Sequence, residues 1–338
     1  MFKFLLRRLV NYLLLLVVAV TLGYLLAATQ LDPRSRAIEE ALTSMSNANL
    51  QYEEVVANVD KALTARNINP TDPVFERFGN WVGSVVTSWD WGESPKGENV
   101  NAQIADRVPL SLQLVFLGFL IGTIAGVAIG AWTAVHQYSV ADRVITIIAM
   151  ILISTPVIVI AVFLQIGATS INNWSGYQIF NFIGPYSTPK PDGFFPGLFD
   201  RLQHLVLPTI AMSLTGIATY SRYQRNLMLD TLGADYVRTA RAKGLRFGRA
   251  VRKHALRTSL IPIATYFAFG IALLVTGAAI TEQVFGWEGM GIYAVKTIQA
   301  QDINGTVAVV AFSGAATLIG AFLSDIVISV VDPRVRVS

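Results

Sequence analysis

The sequence contains no cysteine, only three histidines and few charged residues. The lack of cysteine excludes disulfide bonds, thiolate metal sites and a cysteine nucleophile. His136, His204 and His254 are far apart along the chain and leave few ligands for a transition metal. Charged residues make up 14% of the chain, whereas a soluble domain averages about a quarter. With 53% apolar residues and a mean hydropathy of +0.51, the composition indicates an integral membrane protein.

The chain also lacks a source of energy of its own. It has no Gly-x-x-x-x-Gly-Lys-Ser/Thr loop, with which many ATPases bind phosphate. A proton-driven carrier usually has ionisable residues in mid-membrane. Asp325 is the only such candidate here, and it lies near one end of the last apolar stretch. We therefore favour a helix-end carboxylate that faces an arginine or backbone donors.

Six charge-free apolar stretches are long enough, or nearly so, to cross about 30 Å of hydrocarbon as helices. They are 9–31, 108–135, 144–169, 205–221, 258–281 and 303–324, the last with a tail to 331. The fourth is the shortest and would have to extend into Arg222 and Tyr223. The first is too long for a cleaved signal and is interpreted as a retained helix. The sequence therefore predicts an all-α membrane protein with six transmembrane helices.

The connections between these stretches predict the domain organisation and the orientation. We predict transmembrane helix 1 in 1–31, a helical extracytoplasmic loop domain in 32–107, a five-helix core in 108–331 and a cytoplasmic tail in 332–338. The connection 222–257 carries ten basic residues against only Asp230 and Asp235. Cytoplasmic connections are enriched in Lys and Arg. This rule places 222–257 and both termini in the cytoplasm.

Residues 36–66 and 74–89 predict helices within the loop domain. Residues 36–66 are polar, rich in Ala and Glu and free of Gly and Pro, which indicates one or two solvated helices. In 74–89 the apolar residues recur every three or four positions, which indicates an amphipathic helix. Its Trp81 and Trp89 fit either a membrane interface or an outer helix packed on the bundle.

Small residues and a proline mark two of the predicted spans. Gly118, Gly122, Gly126 and Gly130 form a ridge that predicts a closely packed helical partner, in this chain or in a sister subunit. Pro156 interrupts the third span and predicts a kink, which would either line a gate or serve packing.

The cytoplasmic connection contains the most informative pattern. Asp235 can cap a short helix on which Val237 and Ala240 share one face, and Gly244 can end that helix in the left-handed conformation. A small, alanine-rich face suits docking in a groove of a partner protein. The basic charges alone would also fit a topology signal or contact with anionic lipid. The predicted docking residues are Asp235, Tyr236, Val237, Arg238, Thr239, Ala240, Arg241, Ala242, Lys243, Gly244, Leu245 and His254.

This segment resembles the cytoplasmic coupling loop of bacterial ABC importer membrane subunits. That loop has the pattern Glu-Ala-Ala, three residues, Gly, nine residues and Ile-x-Leu-Pro. Residues 238–240 occupy the Glu-Ala-Ala positions, Gly244 the glycine and 254–257 the end, with the Glu and the Pro both replaced. Residues 235–245 and 254–257 together closely resemble the variant found in the oligopeptide, dipeptide and nickel permease family.

Other blocks of the chain resemble the same family. They are 204–208, 220–225, Glu282 with the residues up to Asp302, and 332–336, although Glu288 stands where proline is usual. Trp81, 92–94, Ile104 and 107–109 resemble the B-type member, which has one long outer loop after its first helix. Residues 32–62 are not covered, and the chain is expected to be longer there than the usual member.

The resemblance implies a type I importer permease subunit that moves peptides by alternating access. It implies a homologous second permease subunit, two cytoplasmic ATP-binding subunits that hold ATP and Mg, and an extracytoplasmic substrate-binding protein. This chain itself would bind membrane lipid and peptide but neither a cofactor, a metal nor nucleic acid, and would be no enzyme. The expected location is the bacterial inner membrane. Candidate gate or pathway residues are Pro156, Arg222 and Glu282.

Three alternative functions remain. A permease for nickel or another small solute belongs to the same family. A stand-alone secondary transporter would show uptake that survives ATP depletion. An intramembrane protease would need a serine with a histidine, or paired aspartates, within the bundle. The chain has no Gly-x-Ser-x-Gly motif, and Asp325 has no second intramembrane aspartate beside it, so this last function is disfavoured.

Overall fold

The computed structural model describes the backbone of residues 2–44 and 51–331, and the side chains of 5–43, 51–264, 266 and 279–326. Within these ranges the chain forms helices and one isolated bridge pair, Glu93 with Asn99, but no strand. The predicted all-α class is therefore confirmed. The predicted tail 332–338, with the resemblance block 332–336, lies outside the described residues.

The helices follow one another along the chain with mostly short connections. The first half contains α1 Phe2–Gln30, α2 Pro33–Ser44, α3 Tyr52–Ala65, α4 Val74–Ser88, α5 Val100–Val135, α6 Val140–Ser154 and α7 Val157–Ser175. The second half contains α8 Phe194–Leu232, α9 Asp235–Ala242, α10 Phe247–Ala250, a π-helical turn Val251–Ala255, α11 Leu256–Phe285, α12 Met290–Gln299 and α13 Ile303–Val331.

Five of the described helical segments are long and apolar enough to cross a membrane: Leu5–Gln30, Val100–Val135, Val157–Ser175, Phe194–Leu232 and Ile303–Ile326. The predicted fifth span, 258–281, lies within α11, whose side chains at 267–278 are outside the described residues. The predicted fourth span was too short, because α8 continues without a break from Phe194 to Leu232.

The predicted third span is not one kinked helix but two helices. α6 ends at Ser154, and Thr155 and Pro156 have extended backbone before α7 begins at Val157. Proline cannot donate a helical hydrogen bond, and it disfavours helical torsions in the residue before it. Two successive non-helical residues therefore separate α6 from α7.

The chain divides into two compact units. The first unit comprises Met1–Leu9, Ser111–Trp287 and Thr317–Ser338, and the second comprises Val10–Leu110 and Glu288–Ala316. Each unit has its own buried core. The predicted division at residues 31, 107 and 331 stays a prediction.

In the second unit, α4 packs its apolar face inside the chain. Trp81 is 6% exposed and lies 4.9 Å from the Tyr24 ring of α1, in a cluster with Leu63 of α3 and Ile303 of α13. Trp89 follows α4 and remains exposed. The helix predicted at 74–89 is thus present to Ser88. Its packing favours an outer helix held against its neighbours over a helix at the membrane interface. α2 and α3 account for the helices predicted in 36–66.

In the first unit, the glycine ridge of α5 lies against α8. A β-carbon at Gly118 would come within 2.7 Å of the Met212 side chain, and one at Gly130 within 2.3 Å of the Ser221 carbonyl oxygen. The predicted close partner of the ridge is therefore a helix of this same chain. Asp325 pairs with Arg8 at 3.6 Å from Oδ2 to Nε, which confirms the favoured interpretation of that carboxylate.

Candidate functional site

α9 is a short helix with a precisely defined end. The N–H of Gly244 donates to the Arg241 carbonyl at 2.9 Å, and the N–H of Leu245 donates to the Ala240 carbonyl at 3.2 Å. This pair of bonds is the Schellman motif, which needs a left-handed residue after the helix. Gly244 has φ +88°, which a side chain would disfavour. The predicted helix end at Gly244 is confirmed.

The apolar face of α9 packs inside the first unit. Val237 and Ala240 are 1% and 9% exposed. Val237 belongs to a buried cluster with Met228 of α8 and with residues of α5, α10 and the π-helical turn, namely Ala134, Ala250, Val251 and Ala255. The shared face was predicted correctly, but its expected role was wrong, because this face is not available to a partner. What α9 presents outward is its polar face.

The start of α9 also differs from the prediction. The residue before the helix is Ala234, and no side chain caps it, whereas Asp235 lies in the first turn. There the carboxylate still interacts favourably with the positive end of the helix dipole. The Arg238 Nη1 lies 4.0 Å from the Asp235 Oδ1, and both side chains are largely exposed. Such a pair contributes little to stability, so both charges remain available for contacts outside this chain.

The exposed residues of α9 and its C-terminal turn form a polar surface, which we call the α9 surface. Its members are Asp235, Tyr236, Arg238, Thr239, Arg241, Ala242, Lys243 and Gly244. Leu245 is half-buried against the cluster below. His254 lies in the π-helical turn and is half-buried, and its carbonyl accepts a hydrogen bond from the Thr258 hydroxyl at 3.0 Å. The turn packs on α8, α9 and α11.

Arg222 and Arg225 lie inside α8, not in a loop. Arg222 is half-buried, and no hydrogen bond or ion pair of its side chain occurs among the described residues. Arg225 donates from Nε and Nη2 to the two carboxylate oxygens of Asp142 in α6, at 2.7 and 2.9 Å. Asp142 is 2% exposed, and its hydrogen bonds with Arg225 hold the pKa of its carboxyl below the ordinary value.

The sequence analysis missed Asp142, although a local signal was present. Ser139 is the N-cap of α6, and its hydroxyl accepts the backbone N–H of Asp142 at 3.1 Å. A serine followed three residues later by an acidic residue is a pattern typical of helix starts. The Asp142 carboxylate in turn accepts the N–H of Tyr138 at 3.0 Å. The pairing with Arg225, 83 residues away, has no local signal.

Glu282 is fully buried near the end of α11. It accepts a hydrogen bond from the Ser111 hydroxyl at 2.6 Å. Nearby in sequence, Trp287 lies 4.4 Å from the guanidinium carbon of Arg201, which also donates to Gln113. Arg201 is 8% exposed and was not singled out in the sequence, because its partners come from three distant segments. These contacts join α5, α8 and the end of α11 within the first unit.

The predicted residues therefore fall into two groups. The end of α8, α9, α10 and the π-helical turn share one buried cluster, so the α9 surface and His254 belong to one continuous part of the first unit. Pro156 and Glu282 are not members of that cluster. Pro156 marks the break between α6 and α7, and Glu282 is held by α5. The predicted docking residues thus lie together in one segment, and Pro156 and Glu282 lie outside its buried cluster.

Comparisons with known proteins identify a family and several relatives. Residues 126–337 match the family described as binding-protein-dependent transport system inner membrane component. The chain is 43% identical to the oligopeptide transport system permease protein OppB of Mycobacterium tuberculosis, over 100% of both chains. It is 29% identical to the oligopeptide transport system permease protein AppB of Bacillus subtilis, over 85% of this chain and 88% of that one.

A further relative is the dipeptide transport system permease protein DppB of Lactococcus lactis, which is 30% identical over 78% of this chain and 81% of that one. The mycobacterial protein matches along its whole length. That relative therefore matches residues 32–62 as well, where the chain was expected to be longer than the usual member.

Proposed function

The chain belongs to the family of binding-protein-dependent transport system inner membrane components, and from this membership we propose that it is one permease subunit of an ATP-driven peptide importer. It has the all-α type I permease fold of that family. Its five described apolar helices make it a multi-pass membrane protein, and α11, which contains the predicted span 258–281, is the proposed sixth span. We place both termini in the cytoplasm of a bacterial inner membrane, because the ten basic residues of 222–257 favour that side.

The proposed partners are a homologous permease subunit, two ATP-binding subunits and an extracytoplasmic binding protein. ATP and Mg would be held by the ATP-binding subunits, and this chain would bind no cofactor. Peptide is the proposed substrate, because the relatives named above are oligopeptide and dipeptide permeases. The observation that carries the proposal is the α9 segment: a short helix that is anchored by a buried cluster and exposes a mostly polar outer face.

In this mechanism the α9 surface contacts an ATP-binding subunit. When ATP closes the pair of ATP-binding subunits, the contact moves α9 as a rigid body. The buried cluster beneath Val237 transmits that movement to α8 and α11, because close-packed side chains do not deform independently. Coupling of this kind requires contacts that differ between the two states.

The broken third span supports a pathway role for Pro156. Non-helical backbone at membrane depth is tolerated where it is buried in protein or lines a water-filled cavity. Thr155 is half-buried and Pro156 is exposed on this chain. We therefore propose that the break faces the second permease subunit or the translocation path. Glu282 and Arg222, both in the first unit, remain candidates for the two ends of that path.

The test is reconstitution of the full complex in proteoliposomes, with peptide uptake and ATP hydrolysis measured together. Gly244→Pro removes the N–H that bonds to Arg241 and cannot adopt positive φ. We expect this variant to assemble and hydrolyse ATP while uptake is lost. Gly248→Ala is the matched control, since this glycine has open space and no left-handed backbone. Full uptake by Gly244→Pro would contradict the docking role.

Charge reversal tests the α9 surface itself. Arg238→Glu with Arg241→Glu changes two exposed side chains without touching the buried cluster. We expect uptake to fall in this double variant, whereas Lys61→Glu, an exposed change in the second unit, leaves it unchanged. Uptake of nickel but not of peptides by the wild-type complex would reject the proposed substrate. Uptake that needs no ATP-binding subunit would reject the whole proposal.

A further inference from the structure

The two halves of the third span are joined by a short connection that is not helical. Thr155 and Pro156 are both extended, with ψ of 123° and 140°. α6 has 15 residues and α7 has 19, so each half is a rigid rod several turns long. Rotation about a few backbone torsions in such a connection changes the angle between two helices. α6 can therefore move without bending α7.

The other end of α6 is fixed to α8. Asp142 in the first turn of α6 receives both hydrogen bonds of the Arg225 guanidinium, at 2.7 and 2.9 Å. A bidentate guanidinium–carboxylate pair fixes orientation as well as distance. Asp142 is 2% exposed, so separating the pair would leave an uncompensated buried charge, which is strongly unfavourable. The start of α6 must follow Arg225.

Arg225 is in turn close to the α9 segment. It lies three residues before Met228, which is fully buried in the cluster that contains Val237 of α9. α9 thus packs on Met228 of α8, and about one turn away on the same helix Arg225 bonds to Asp142 of α6. Coupling between distant sites is carried by such networks when they connect elements with two arrangements. The break at Thr155 and Pro156 is the point in this network at which a change of backbone torsions alters the angle between two helices.

We propose that the Asp142–Arg225 pair makes α6 follow the movement of α9, so that α6 swings about Thr155–Pro156 during transport. The inference rests on the proposed function, in which α9 receives movement from an ATP-binding subunit. Asp142 and Arg225 are positioning residues in this mechanism. They act on α6 through its first turn. When α6 moves, the third span presents a different face to its surroundings.

The first test uses Asp142→Asn and Arg225→Lys in the complete complex. Asparagine can still accept the Tyr138 N–H but carries no charge, and lysine keeps the charge but cannot bond with two parallel N–H groups. We expect the peptide transported per ATP hydrolysed to fall by about fivefold or more, the lower end of typical coupling between sites. Basal ATP hydrolysis should be retained.

The matched control removes another bidentate guanidinium–carboxylate pair, which lies in the second unit. Arg34 donates to both carboxylate oxygens of Asp60 in the second unit, at 2.6 and 3.0 Å. Asp60→Asn should leave the ratio of transport to hydrolysis unchanged. A third variant, Asp142→Asn with Arg225→Gln, removes both charges and keeps hydrogen bonding possible. Failure of all three first-unit variants to assemble would assign the pair a purely structural role and overturn the inference.

The second test measures the movement directly. The chain has no cysteine, so spin labels can be introduced at the exposed residues Val144 in α6 and Ile171 in α7 by substitution to Cys. In the complex, we expect the distance between the labels to differ between the nucleotide-free state and the state trapped with ATP and vanadate. Labels at Ile158 and Ile171, both in α7, should show no change. Asp142→Asn should remove the difference across the break.

The possible outcomes distinguish failure of the proposed function from failure of the role of the Asp142–Arg225 pair alone. A wild-type complex in which hydrolysis and uptake are independent would overturn the proposed function and this inference with it. Coupled uptake that is insensitive to Asp142→Asn and Arg225→Lys would overturn the inference alone. An unchanged distance across Thr155–Pro156 in the wild type, or an equal change in Asp142→Asn, would do the same.

Discussion

The α9 segment and the second unit both bury the apolar faces of amphipathic helices, but they place their charges differently. On α9, Asp235, Arg238 and Arg241 are all exposed, and Val237 packs beneath them in a buried apolar cluster. In the second unit a carboxylate is buried as well: Asp302 is 3% exposed at the start of α13. The comparison indicates that the charges on α9 itself are available for external contacts, whereas the Asp302 carboxylate is enclosed within the second unit.

The largest effect is expected for Trp81→Ala in the second unit. Trp81 packs against Tyr24 and lies 5.7 Å from the Trp91 ring. Truncating a buried tryptophan costs about 3–5 kcal/mol. We expect a large drop in the thermal unfolding temperature in detergent and faster proteolysis of the second unit. Trp89→Ala, at an exposed position, is the control, and an equal effect of both would contradict the buried aromatic core.

A second prediction uses the buried carboxylate. Burial raises the pKa of Asp302 to about 6, above the unfolded value of about 3.9. The folded state thus binds more protons between these pH values, so the free energy of unfolding should fall as pH rises from about 4 to 6 and then stay level. The contribution is about 2–3 kcal/mol at 1.36 kcal/mol per pKa unit. Asp302→Asn should lose this pH dependence, as measured by unfolding temperature against pH. If Asp302→Asn kept the wild-type slope of unfolding temperature against pH, the pH dependence would belong to another titratable group.

A third prediction concerns the apolar side of α9. Val237→Ala removes two buried methyl groups and should cost about 2 kcal/mol, at about 0.8 kcal/mol per buried CH₂ with a cavity term added. Tyr236→Ala changes the neighbouring exposed side chain, so it should leave stability unchanged and weaken binding of the ATP-binding subunit. Unfolding temperature and pull-down of the complex measure the two effects. The reverse pattern would mean that α9 faces the other way.

The smallest expected effect is at Asp235. The pair with Arg238 is long and almost fully exposed, so Asp235→Asn should not measurably change the unfolding temperature. Any change should appear in docking instead, as a different salt dependence of complex assembly. A clear loss of stability would show that the α9 surface has an internal role, and the contrast with Asp302 would fail.

Local patterns predicted much of the α9 segment correctly. Gly244 ends the helix and Val237 shares a face with Ala240, because both features depend only on residues a few positions apart. The glycine ridge of α5 was predicted to need a close partner, and α8 supplies it. The use of the Ala240 face was predicted wrongly, because periodicity identifies an apolar face but not what covers it.

The features that the sequence did not predict depend on residues far apart in the chain. The Asp142–Arg225 pair joins positions 83 residues apart, and Arg201 meets Gln113 at a separation of 88. Neither contact leaves a local pattern. The extent of the break at Pro156 was also missed, because a proline is compatible with a kinked helix as well as with a full interruption.

The contact between α5 and α8 limits how the transporter can move. At Gly122 and Gly216 the two backbones meet, and the side chains of Met212 and Tyr220 fill the spaces left by Gly118 and Gly126. If α8 turned about its own axis, these side chains would collide with α5. The two helices can therefore tilt only together, as one body. A force applied at one end then displaces the other end, with little rotation of either helix about its own axis.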